Sequence, residues 1–220
     1  MIRAWVQTHP FRVELAQERL LPGLAGLEPE LVIDDGPLPP NPWRGYQACL
    51  HSFIDSESEW GLIVQDDAVP CRNLARTLER IVERHPHNVI CLFVGGGALG
   101  SYVLDHKLRY SKLANGWYVP VVATLWPRAQ ALALLEWEQT APKKIVPNDR
   151  SDDGYVGLWR KRTGAEVLVT YPCLFQHPDD QPAVIIKDKR RAQARAGAGM
   201  DRRRVACEFI GHRDPLELDW

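Results

Sequence analysis

Leu62, Ile63 and Val64 form a short apolar, β-favouring run, bounded by Gly61 before it and Pro70 after it. A run of this length between turn residues reads as a buried strand. It leads directly into two adjacent carboxylates, Asp66 and Asp67. Acids at the end of a buried parallel strand sit where open α/β sheets take their ligands. Two neighbouring carboxylates repel each other unless a cation or hydrogen bonds offset the charge. Hard cations such as Mg²⁺ and Mn²⁺ are held by one or two carboxylates together with substrate phosphates. The pair is therefore a candidate metal–diphosphate site. Asp-Asp before Pro is also ordinary turn chemistry, and that alternative stands beside it.

The flanking sequence repeats the strand–helix–strand order of a parallel sheet. Ile2 to Gln7 is strand-like, Phe11 to Leu21 carries apolar residues at helical spacing, and Leu31 to Ile33 is a second short strand closed by Asp34-Asp35-Gly36. Acids at that strand end could hold a ribose or a base edge, or could be a plain Asp-Gly turn. Trp43 to Phe53 reads as a helix started by Pro42, with Arg44 and Tyr46 close to the Asp34 strand end, where they could meet a nucleotide's phosphate or base, or equally be a surface arginine and a core tyrosine. Arg72 to His85 is an amphipathic helix whose arginines, at 72, 76, 80 and 84, alternate with glutamates and read as a solvated face. Asn88 to Val94 is a strand followed by the glycine-rich 95–100, which lacks a phosphate-loop lysine. Tyr102 to Leu113 reads as irregular or short-stranded. Gly116 to Trp126 is strand-like, and Pro127 to Trp137 is helical. Ser151-Asp152-Asp153 opens a helix that Gly164 stops. Ser151 or Asp152 is a natural N-cap there, and an acid in such a first turn is also placed to act as a general base. Glu166 to Tyr171 is the last clear strand and leads to Gln176-His177.

Composition narrows the function classes. No run approaches the roughly 18 apolar residues of a membrane helix, and the start of the chain reads as a strand rather than a signal peptide, so a cytoplasmic location is expected. The five cysteines have no C-x-x-C pair, which argues against a disulfide framework or a zinc knuckle. The net charge of −1 hides a basic segment: from Lys187 to Arg204 there are eight basic residues and two acidic ones. Such a cluster is the footprint of an anionic partner such as DNA, or a solvated tail.

Taken together, Gln65-Asp66-Asp67-Ala68-Val69-Pro70, Ser151-Asp152-Asp153 and Pro172-Cys-Leu-Phe-Gln176-His177 resemble, in this order, the motifs of GT-A fold glycosyltransferases. The similarity is greatest to the lipopolysaccharide-type (family 25-like) group and small phage-encoded relatives. It covers roughly residues 1–185 as a nucleotide-sugar-binding catalytic domain and leaves 186–220 as a basic C-terminal extension. The sequence departs from the family pattern at Gln65, where an acid is usual.

The resemblance implies a GT-A-like, Rossmann-like α/β fold: a mixed, mostly parallel sheet flanked by helices, in a single domain. It implies a metal-dependent hexosyltransferase that moves a sugar from a nucleotide-sugar, UDP-linked by expectation, to an acceptor hydroxyl. Asp67 and His177 would hold Mn²⁺ or Mg²⁺. Asp66 would hold ribose or sugar hydroxyls, or share the metal. Asp34, Asp35 and Arg44 would lie at the nucleoside end. Asp153 would act as base and Asp152 would position the acceptor, with inversion favoured and a retaining outcome open. The basic segment points to DNA carrying a hydroxymethylated base as acceptor, with a glycan or a protein as alternatives. The rival classes are a nucleic-acid-binding module and a metal-dependent phosphohydrolase or nucleotidyltransferase.

Overall fold

In a computed structural model the chain is described over residues 1–36, 41–114, 117–141, 151–178, 206–211 and 213–220. Its centre is a seven-stranded mixed sheet. The strands are β1 (Ile2–Thr8), β2 (Glu30–Ile33), β3 (Trp60–Gln65), β5 (Val89–Cys91), β6 (Tyr110–Lys112), β7 (Ala123–Pro127) and β8 (Val167–Thr170), in the spatial order β2-β1-β3-β7-β5-β8-β6. β2, β1 and β3 run parallel, and β7 runs against both β3 and β5. β8 is parallel to β5, and β6 is antiparallel to β8. Five strands therefore share one direction. Leu62, Ile63, Val64, Ala4, Trp5 and Val6 are fully buried. Burying a side chain of the Val, Leu or Ile class contributes about 1.5–3 kcal/mol relative to leaving it exposed.

Because the side-chain period in a strand is two residues, β3 divides its neighbours between two faces. Gly61 faces helix α2 (Pro42–Asp55), where a Cβ would stand 2.6 Å from the Phe53 ring. Gln65 shares that face, and Asp66, the next residue, points to the other. α2 packs with α5 (Arg128–Thr140) and α6 (Asp152–Thr163). The stacked rings of Trp43 and Tyr155, 4.3 Å apart, join α2 to the start of α6. Tyr46 belongs to the core: its hydroxyl bonds to Thr124 Oγ1 at 2.6 Å and accepts from Trp126 Nε1 at 2.8 Å.

The segment after β1 is not the single amphipathic helix its spacing predicts. One α-helical turn, α1 (Val13–Leu15), lies between a 3₁₀ turn (Pro10–Arg12) and a π-helical segment (Ala16–Leu20), and a longer 3₁₀ stretch (Leu21–Leu27) follows. Proline at 10 and 22 and glycine at 23 and 26 are poor partners in an i→i−4 ladder. Gly23 is needed for close approach, since a Cβ there would meet the Pro70 ring at 2.3 Å. Phe11, expected on the apolar face, is 85% exposed. A second departure is helix α4 (Ala98–His106), where the sequence reads as irregular. α3 (Leu74–Arg84) is as expected, with Leu74, Leu78 and Ile81 buried.

The end of the chain returns to the body. The division at 185/186 sets 186–220 apart as an extension, yet 206–211 and 213–220 pack on the body. Asn73 donates to Asp214, Arg80 Nη1 to the Leu216 carbonyl at 2.8 Å, and Arg84 pairs with Asp219 at 3.0 Å. The arginines at 80 and 84, in the stripe read as a solvated face, thus hold the returning chain. Trp220 is buried, its ring beneath the Arg109 guanidinium at 5.0 Å. The basic segment, residues 187–204, lies outside the described residues. Among the described residues no helix is long and apolar enough to cross a membrane.

Candidate functional site

The site is built around the C-terminal end of β3. Three consecutive side chains there, Gln65, Asp66 and Asp67, each reach a different and distant part of the chain. Gln65 Nε2 donates to Asp152 Oδ2 at 3.1 Å, which ties the strand end to the first turn of α6. Asp66 accepts from Thr8 Oγ1 at 2.9 Å, from the His9 amide at 3.2 Å and from Arg12 Nη1 at 2.9 Å. Arg12 Nη1 also donates to Asp67 Oδ2 at 2.6 Å. The other oxygen of Asp67 lies 3.0 Å from His177 Nε2.

A two-stranded antiparallel ribbon delivers His177. β4 (Val69–Pro70) pairs with β9 (Phe175–Gln176), with Val69 opposite Gln176 and Pro70 opposite Phe175. Extending that register by one or two residues sets Asp67 beside His177. Gln176 Oε1 braces the turn by accepting from the His177 amide at 2.9 Å and the Ala206 amide at 2.7 Å. The side chains of Arg12, Asp67 and His177 are only 11%, 10% and 12% exposed.

The electrostatics separate the two neighbouring acids. Burial pushes both carboxyls up. For Asp66 burial prevails over Arg12, and its pKa is raised. For Asp67 the hydrogen bond and attraction of His177, followed by Arg12, outweigh burial and hold the pKa down at about 2. Asp152, fully enclosed at the start of α6, is pushed up to about 6 by burial and then by the charge of Asp153. Its Oδ1 takes the Asp153 amide at 2.9 Å, and Asp153 Oδ1 takes the Gly154 amide at 2.8 Å. The two acids thus satisfy open N–H groups of the helix start. Ser151 occupies the N-cap position without a side-chain cap bond.

The residues placed at the nucleoside end are assembled differently. Arg44 and Asp34 meet each other in a two-point pair, Nε–Oδ1 at 2.5 Å and Nη2–Oδ2 at 3.0 Å. Asp35 is exposed. The Asp34 amide donates to the Thr8 carbonyl and the Asp66 amide to the Gln7 carbonyl, so the two acids flank the end of β1. With strands about 4.8 Å apart, Asp34 and Asp66 stand roughly 10 Å from each other across the sheet edge.

Among the described residues no group of three or more His, Cys, Asp or Glu is arranged to hold a metal ion. The candidate pair is Asp67 with His177. Two neighbouring ligands of an octahedral ion, each about 2.1 Å from it, stand about 3.0 Å apart. The Asp67–His177 separation of 3.0 Å is of that size, but it is also the hydrogen bond that holds the Asp67 pKa down, so an ion bound here would replace that bond. His177 Nδ1 is buried with no hydrogen-bond partner among the described residues.

Arg12 is the site residue that sequence reasoning passes over. A signal for it exists: parallel pairing of β1 with β3 puts residues just after Thr8 beside Asp66.

No family model and no curated protein matches this sequence. Fifty chains of solved structures match it in fold. One of them, titled "Crystal Structure of A197 from STIV", aligns over 81% of this chain and 86% of its own, at 8% identity and a TM-score of 0.46. A likeness at that level speaks to neither activity nor substrate.

Proposed function

We propose that this chain is a glycosyltransferase that takes its sugar from a nucleotide-sugar, UDP-linked, and passes it to an acceptor hydroxyl by single displacement with inversion. The observation that carries the proposal is the convergence on one strand end. Gln65, Asp66 and Asp67 hold Asp152, Arg12 and His177, residues from three separate stretches of the sequence. A strand end of a mostly parallel sheet is the ordinary place for a nucleotide. The nucleoside would lie along the ends of β2 and β1, near Asp34 and Arg44, with the diphosphate at Asp67.

In the reaction the acceptor oxygen bonds to the anomeric carbon as the bond from that carbon to the diphosphate oxygen breaks. The acceptor proton passes to Asp153, which is part-exposed in the first turn of α6. Asp152 is the buried partner; through Gln65 it fixes the helix start relative to the diphosphate. Asp67 and His177 would hold the divalent ion. Bound there, the ion supplies Lewis-acid stabilisation for the charge that develops on the leaving diphosphate. Asp66, engaged by Thr8, His9 and Arg12, orders the turn after β1.

The basic segment 187–204, which carries the expectation of a DNA acceptor, enters no step of this proposal. Thermal denaturation with UDP and Mn²⁺ together tests it. Ligand at about 100 times its Kd stabilises by about 2.7 kcal/mol, or roughly 5–10 °C for a chain of this size. The gain disappears in His177→Ala. Absence of any gain in the wild-type protein counts against the proposal.

A further inference from the structure

Arg12 does more than line the site. One nitrogen of its guanidinium, Nη1, bridges Asp66 Oδ1 at 2.9 Å and Asp67 Oδ2 at 2.6 Å. The bridge is nearly closed to water, with the Arg12 side chain 11% exposed and those of Asp66 and Asp67 9% and 10%. Two adjacent carboxylates out of water must share a cation, protonate, or be forced apart. A metal ion is the usual cation in that position, but the protein has put its own there. The fold commits to it: the 3₁₀ turn Pro10–Arg12 directly follows β1, and Thr8 and His9, its neighbours in sequence, bond to the same carboxylate of Asp66.

We infer that Arg12 is a positioning residue that serves as the resident counter-cation of the Asp66–Asp67 pair, so that this strand end keeps its shape without a divalent ion. Among the described residues, Asp67 Oδ1 and His177 are then left as the protein ligands a metal would have. Two such ligands bind Mn²⁺ weakly on their own, and the remaining positions are filled by a diphosphate. The inference rests on the glycosyltransferase reading only for that diphosphate. Its test uses protein and metal alone, so it can fail while the reading stands, and the reverse.

The experiment is thermal denaturation of wild type, Arg12→Ala and Arg12→Lys, each in chelator and in MnCl₂, with calorimetric titration of MnCl₂ into each protein. Wild type should melt at the same temperature in both buffers. Arg12→Ala should melt lower in chelator, by roughly 10 °C, and recover part of that loss in Mn²⁺. Its Mn²⁺ affinity should exceed that of wild type by about tenfold or more, because the bared acid pair now seeks a cation. Arg12→Lys, which restores a charge without the fork, should fall between and respond little to Mn²⁺. A purely structural role for Arg12 would lower the melting temperature without creating the metal response. Wild type destabilised by chelator, or Arg12→Ala indifferent to Mn²⁺, overturns the inference. If Arg12→Ala does not fold, Arg12→Ala with Asp66→Asn decides. Recovery of a folded protein on removing one of the two repelling charges supports the role, and failure to recover overturns it.

Discussion

Asp152 is a buried acid held at a position where its charge is unwelcome, and replacing it should make the protein more stable. Its carboxyl is enclosed at the start of α6, and burial with the nearby Asp153 raises its pKa from 3.8 to about 6. The direction of the pH effect follows from linkage. A carboxyl whose folded pKa lies above its unfolded value binds its proton more tightly when folded. Its contribution is fully favourable below pH ~4 and is lost as pH rises through about 6. Moving a carboxyl from 3.8 to about 6 corresponds to about 3 kcal/mol, since each tenfold change in proton affinity is about 1.36 kcal/mol. Asp152→Asn removes that charge while keeping an oxygen for Gln65 Nε2, now 3.1 Å from Oδ2. The variant should therefore be about 2–3 kcal/mol more stable than wild type at pH 8, and equal to it near pH 4. The measurement is urea denaturation at both pH values, with the midpoints converted through a shared m-value. A gain that does not depend on pH, or a loss at pH 8, would refute the argument that Asp152 is a strained acid kept for its site.

Other changes probe neighbouring parts of the account. Gln65→Glu places a second charge against Asp152, and stability at pH 8 should drop by about 1–3 kcal/mol. An unchanged urea midpoint at pH 8 would argue against the Gln65–Asp152 contact. Trp220→Ala removes a ring that is 3% exposed and capped by Arg109; it should cost about 3 kcal/mol. A loss below about 0.5 kcal/mol would show that the returning chain end is not part of the body.

Much of this site can be reached from the sequence, because it depends on strand ends. The apolar runs at 62–64 and 4–6 announce β3 and β1, and period-two alternation sends Gln65 and Asp66 to opposite faces. What the sequence conceals is the pairing of residues far apart in the chain. Asp34 and Arg44 look like two ligands for a nucleotide, yet they sit close enough to satisfy each other. Arg12 is hidden by the apolar spacing of Phe11, Leu15 and Leu20, which suggests one regular helix; prolines and glycines break that helix into short turns and leave Phe11 in solvent. α4 is concealed by the glycines ahead of it. Gly100 is required in α4 because a Cβ there would lie 2.5 Å from the Gly95 carbonyl oxygen, whereas in the sequence alone it reads as one more loop residue. Trp220 sits among residues with no periodicity, and only the docking of the chain end on α3 reveals its burial.

Donor chemistry at Asp67 and His177 can be read as UDP release from a panel of UDP-sugars. The assay compares wild type with Asp67→Ala, in Mn²⁺ and in chelator, and needs no acceptor if water can slowly take the sugar. Intact UDP should be released from one sugar, dependent on Mn²⁺ and absent in Asp67→Ala. Release that persists in the variant, or none across the panel from a wild-type protein that also fails to bind UDP with Mn²⁺, would contradict it.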